Sequence, residues 1–143
     1  MRLPAEWEKQ RFIQLTWPHK NSDWASMLDE VEPVFIHLAI EISQRQHLLI
    51  VCPHEITLRT QLSLTSANLN NIVFAEFPSN DTWARDHGAI TILDDNNQPH
   101  LLDFGFNGWG LKFASNYDNQ LSRKLVHYGF IQAPLHTISL ILE

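Results

Sequence analysis

Asp81-Thr-Trp-Ala-Arg-Asp-His-Gly88, running directly into the apolar Ala89-Ile-Thr-Ile-Leu93, is the stretch on which the reading turns. It sets carboxylates, a guanidinium, an indole and an imidazole against a strand-forming run. Pockets need this combination, a few directed polar groups on an apolar wall. Read as extended chain, alternation puts Asp81, Trp83, Arg85 and His87 on one face. Thr82, Ala84, Asp86 and Gly88 then fall on the other. A second reading stays open from residue types alone: Arg85 pairs with Asp86 or Asp81 and pins a strand start to its neighbour.

Working outward, short apolar strands and helical repeats alternate. Arg11 to Trp17 reads as a strand that stops at Pro18. Asn21-Ser22-Asp23 offers helix caps. Apolar residues at Met27, Leu28, Val31, Val34, Phe35, Leu38, Ala39 and Ile42 recur at helical spacing between Trp24 and Gln46. Pro33 predicts a kink or a helix start within that run. His47 to Cys52 is a buried strand closed by Pro53, and Glu55 to Ser66 a shorter helix. Ile72 to Phe77 is a strand, followed by a turn at 78–80. Ala89 to Leu93 and His100 to Phe106 form a hairpin across 94–99. Asp118 to Tyr128 is a helix ended by Gly129. Phe130 onward is strand-like, ending in the apolar Ile138-Ser-Leu-Ile-Leu142. The order β-α-β-α-β-β-β-α-β indicates an α/β architecture.

The chain has 143 residues, enough for one ordinary domain with a real core. Hydrophobic residues make up 44%, with five Trp and eight Phe as bulky core material. Sixteen acidic against ten basic residues give a formal charge of -6. That balance speaks against nucleic acid as a partner and weakly favours a cationic ligand, although plain solubility accounts better for so modest a charge. No apolar run reaches membrane-spanning length, and the N-terminus lacks the apolar core of a signal peptide. The cytoplasm is the expected compartment, with no membrane partner; assembly with further copies of the chain stays open. Cys52 is the only cysteine, so neither an internal disulfide nor a cysteine-based metal cluster is expected. It lies in an apolar strand, where a thiol is ordinarily inert packing. No zinc-type His spacing and no phosphate loop occurs. His87 alone among eight histidines lies in the key segment, and no nucleophile accompanies it. The terminal apolar strand lacks a polar tail, which predicts that the chain continues in a longer protein.

Phe104-Gly-Phe-Asn-Gly-Trp-Gly110 is the second unusual stretch. Two glycines flanking a Trp let the backbone turn sharply while presenting an indole. The indole is either a wall for a planar cation or a plug at the end of a core.

Taken together, these pieces resemble the agmatine deiminase family, which includes the bacterial-type peptidylarginine deiminases. The resemblance runs through Pro4-Ala-Glu-Trp-Glu8, Thr16-Trp-Pro-His19, Asn21 with Asp23-Trp24, Asp81 to Gly88, Asp103 to Gly110, and Leu142-Glu143. It implies part of a pentein α/β propeller, about two ββαβ modules, making residues 1–143 the N-terminal portion of one deiminase domain. It implies C–N hydrolysis of a guanidine with no cofactor and no metal. A cysteine thiolate not present in this chain would attack the guanidinium carbon, and agmatine would yield N-carbamoylputrescine and ammonia. By the same resemblance Asp81 clamps the guanidinium, Trp109 lies near the substrate chain, and Glu143 meets the distal amine. Arg85 and Asp86 would form an internal pair that supports the Asp81 loop. Glu143 favours an amine-tailed substrate, agmatine, over free or peptidyl arginine. The alternatives are an arginine deiminase, or a structural or binding module that turns nothing over.

Overall fold

A computed structural model describes residues 1–142. The chain divides into two compact units: residues 10–84, and residues 1–9 together with 85 onward.

The first unit is a βαβαβ layer. β1 (Phe12–Thr16), β2 (His47–Cys52) and β3 (Ile72–Glu76) form a parallel sheet in the order β1-β2-β3. Thr16 lies opposite Val51, and Cys52 opposite Glu76. α1 (Leu28–Ser43) and α2 (Glu55–Ser63) make the crossovers. β2 is central, and its run Leu48 to Cys52 is buried on both faces, as a near-continuous apolar strand should be. Leu48, Ile50 and Cys52 join Ala39 of α1 and Leu58 and Leu62 of α2 in one core with Trp17, Ile72 and Phe74.

Several local expectations are corrected here. α1 starts at Leu28 without a side-chain cap. The hydroxyl of Ser22 instead donates to the His19 carbonyl at 2.7 Å, so the polar cluster at 21–23 orders a loop rather than a helix end. The helix continues through Pro33, which lacks the N–H that would reach the Asp29 carbonyl. Val34 and Leu38, expected on the buried face, are exposed; Phe35, Ile36 and Ile42 pack against the core instead. α2 ends three residues earlier than its sequence pattern implies.

The second unit is a ββαβ module. β4 (Ile90–Leu93) and β5 (Pro99–Gly105) form the expected hairpin, and β6 (Leu135–Ile141) adds in parallel beside β5. In the hairpin turn, Asp94 Oδ1 accepts the N–H groups of Asn96 and Gln98, both at 2.8 Å. α5 (Leu121–His127) buries Leu121 and Leu125, one turn apart, and Gly129 ends it with φ +79°. The N-terminus is tied in through Arg2, whose backbone N–H and carbonyl pair with Leu93.

The key segment is not extended. Residues 84–87 form one helical turn, α3 (Ala84–His87). Asp81 Oδ1 takes the Thr82 N–H at 2.7 Å, and the Thr82 carbonyl takes the Ala84 N–H at 2.8 Å. An Asp that binds the next backbone N–H favours a turn over a strand. The expected alternation is therefore replaced by a different sorting: Asp81 and His87 are buried, whereas Arg85 and Asp86 are exposed.

Candidate functional site

In the parallel unit every strand stops against a proline, at Pro18, Pro53 and Pro78. The loops that follow line up along the carboxyl edge of the sheet, where open α/β sheets bind ligands. Those loops carry His19, Asp23, His54, Ser79 and Asp81.

Hydrogen bonds fix most of this edge. His19 Nδ1 accepts the Asn21 N–H at 3.2 Å, which leaves the proton on Nε2. Nε2 then donates to the Ser79 hydroxyl at 3.1 Å and joins the first loop to the third. Burial holds the His19 pKa below its usual value; Ser79 opposes that, and nearby His54 adds to it. Trp24 donates its indole N–H to the Thr82 hydroxyl at 2.8 Å, and its ring lies 6.0 Å from that of Trp83, tilted by 40°.

Asp81 sits at the centre of this arrangement and is only 6% exposed. Burial raises its pKa, the Thr82 N–H works the other way, and the carboxyl of Asp23, hydrogen-bonded to it, raises it further. Asp81 is thus tied into its own loop through the Thr82 N–H. Trp83, two residues on, is 46% exposed.

The expected Arg85–Asp86 pair does not form. Among the described residues neither side chain has an ion-pair partner. Neighbours in a helical turn point about 100° apart, so consecutive residues do not face one another. His87 is buried at 5% exposure, and among the described residues neither ring nitrogen has a hydrogen-bond partner. Burial pushes its pKa down to about 4, which keeps it neutral. Its ring lies 6.3 Å from Phe106.

Trp109 belongs to the second unit, in the turn α4 (Gly108–Leu111). This turn is left-handed: φ is +69° at Gly108, +55° at Trp109, +74° at Gly110 and +65° at Leu111. Only glycine adopts that backbone freely, so Trp109 and Leu111 hold strain. Asn107 supports the turn by accepting the Gly110 N–H on its side chain at 2.9 Å and the Leu111 N–H on its carbonyl at 3.0 Å. The Trp109 indole meets Phe106 and Phe113 edge-on, at 5.1 and 5.7 Å. Glycines around a Trp signal a turn in sequence; its handedness is not legible there. Glu143 lies outside the described residues.

Two groups set aside by chemistry are clear. Burial raises the Cys52 thiol to about 12, in keeping with inert packing. Among the described residues no three His, Cys, Asp or Glu side chains converge as a metal cluster, and no helix is long and apolar enough to cross a membrane.

A parallel layer with its loops gathered at one edge, followed by a ββαβ module, defines part of an α/β pentein. The chain belongs to the Porphyromonas-type peptidyl-arginine deiminase family, whose sequence pattern matches residues 2–143. Its relatives include the agmatine deiminase of Pseudomonas aeruginosa, 31% identical over 87% of this chain and 34% of that protein. A Shewanella baltica relative with a provisional agmatine deiminase name is 29% identical over 99% of this chain and 38% of its own length. Among solved structures, a substrate-bound C315S agmatine deiminase of C. jejuni superposes with a TM-score of 0.87 at 32% identity, covering 99% of this chain and 40% of that one. The chain spans about two-fifths of the length of these relatives.

Proposed function

We propose that this chain supplies part of a guanidine deiminase whose substrate is agmatine. The observation that carries the reading is the match of residues 2–143 to a deiminase family, whose most motif-rich stretch here, 81–88, follows β3 in the chain. The agmatine deiminase names of the Pseudomonas and Shewanella relatives support agmatine, while the family itself and two similar solved structures carry peptidyl-arginine or arginine deiminase names. In the reaction a thiolate, supplied from outside this chain, adds to the guanidinium carbon and ammonia leaves. Water then cleaves the amidino-thioether, returning the thiol and releasing N-carbamoylputrescine.

A guanidinium is a planar cation with forked donors, and a carboxylate is its natural partner. The loop offers two. Asp81 was the expected clamp from resemblance, yet it is buried and engaged by Thr82 and Asp23. Asp86 is exposed on α3 and carries no ion pair among the described residues. We therefore assign the clamp to Asp86 and the shaping of the loop to Asp81. Trp109 and Glu143 keep their proposed places along the alkyl chain and at the distal amine.

The test is ureido product formation from agmatine by the longer protein. Asp86→Asn is expected to lower kcat/KM by about 100-fold or more, equivalent to roughly 3 kcal/mol for a charge-assisted pair, with unchanged thermal stability. Asp81→Asn is expected to lower the melting temperature along with activity. If Asp81→Asn abolishes turnover at parental stability while Asp86→Asn stays active, the two roles are reversed. If both variants turn agmatine over normally, the guanidine reading of this loop fails.

A further inference from the structure

A second cluster lies on the sheet of the ββαβ unit. His100 of β5 and His136 of β6 approach until Nδ1 of the first is 3.0 Å from Nε2 of the second. Their ring centroids are 5.2 Å apart with planes inclined by only 24°. With the nitrogens that close and the centroids that far apart, the rings meet edge to edge along the N···N line rather than face to face. Behind His100, its other nitrogen, Nε2, faces Asp94 Oδ2 at 3.6 Å. Asp94 is itself fixed: its Oδ1 holds two turn N–H groups. With its Oδ2 facing Nε2, the tautomer with the proton on His100 Nε2 is favoured. The Nδ1 lone pair then points toward His136, whose Nε2–H donates to it.

Carboxylate, imidazole, and a lone pair offered on the far nitrogen form the arrangement that orients metal-binding histidines. The spacing also matters. Two nitrogens about 2.0 Å from a metal stand about 2.8–2.9 Å apart at a right angle and about 3.3 Å apart at the tetrahedral angle. The observed 3.0 Å is the length of an N–H···N hydrogen bond, and it already falls within the span that one metal ion bridges.

We propose that His100 and His136 form a two-nitrogen chelate for a late first-row divalent metal ion, with Cu2+ as the probe because it binds nitrogen sites most tightly in that series. Asp94 acts as the positioning residue. Binding moves the His136 proton from Nε2 to Nδ1 and turns each ring so that the two lone pairs converge. Water completes the coordination, since no third protein ligand converges there among the described residues. The site is independent of the guanidine reading: it uses none of the residues assigned to that chemistry.

The experiment is titration of Cu2+ into the chain at pH 7.5, followed by calorimetry and by electron paramagnetic resonance. The expected result is one Cu2+ per chain with hyperfine coupling from two imidazole nitrogens. His100→Ala and His136→Ala should each weaken binding at least tenfold and remove one nitrogen coupling. Asp94→Asn should weaken it about tenfold while keeping both couplings. His37→Ala, an exposed histidine on α1, should change nothing. Binding by either His100→Ala or His136→Ala within twofold of the parent overturns the proposal, as does an equal loss in His37→Ala.

Discussion

Substituting Gly108 by alanine tests whether the left-handed turn at 108–111 is imposed by its surroundings. A Cβ built at Gly108 would lie 2.2 Å from the Phe113 carbonyl oxygen. Ordinary contact begins at 3.4 Å, so that carbonyl must retreat by 3.4 − 2.2 = 1.2 Å. The Lys112 and Phe113 N–H groups both donate to the Gly108 carbonyl at 3.1 Å, and a shift of that size breaks at least one of them. A broken bond of this kind costs about 1 kcal/mol. Holding an alanine at φ +69° costs about 1–2 kcal/mol more. With the carbonyl displacement included, Gly108→Ala should destabilise by about 3 kcal/mol, against typical domain stabilities of about 5–15 kcal/mol. The midpoint of thermal unfolding should fall by about 10 °C. Leu111 provides the opposite sign. It sits at φ +65° with 83% of its surface exposed, so Leu111→Asn relieves strain and removes little packing. It should raise stability by up to about 1 kcal/mol. Denaturant unfolding followed by circular dichroism measures both. A Gly108→Ala protein within 1 kcal/mol of the parent would refute the argument, because the turn would then yield where it is described as fixed.

Two further outcomes follow from burial. His87 titrates near 4 in the folded chain against 6.5 in the unfolded one, so between those values the unfolded state binds more protons. Its contribution is complete above pH 6.5 and is lost as the pH falls toward 4, amounting to about 3 kcal/mol. His87→Leu should flatten the loss of stability between pH 7 and pH 4 by that amount; an unchanged slope in urea titrations would contradict it. Cys52, with its thiol raised to about 12, should resist alkylation at pH 8 until the chain is unfolded, and labelling of the native protein at the rate of a free thiol would show its strand to be open.

Much of this architecture was readable along the chain because the informative signals are local. The run from Leu48 to Cys52 could only be an interior strand. The Asp94 turn declares its hairpin, and Gly129 declares its helix end. The errors have equally local causes. Alternation over 81–88 suits an extended chain, but one hydrogen bond between Asp81 and the next N–H outweighs a pattern spread over eight residues. Val34 and Leu38 fit the helical period yet lie on the exposed edge of the stripe, since period alone does not fix its centre. The His19–Ser79 and Asp23–Asp81 contacts join positions about 60 residues apart, and no spacing rule in a single sequence reaches that far.

The three prolines that close β1, β2 and β3 have a consequence for how such a scaffold can change. A residue with no N–H cannot extend a ladder, so the sheet is fenced along one rim, nearly level across all three strands. Insertions and substitutions beyond that fence can vary without propagating disorder into the hydrogen-bonded layer. One border of the protein is thereby left free to be rewritten while the ground behind it stays put.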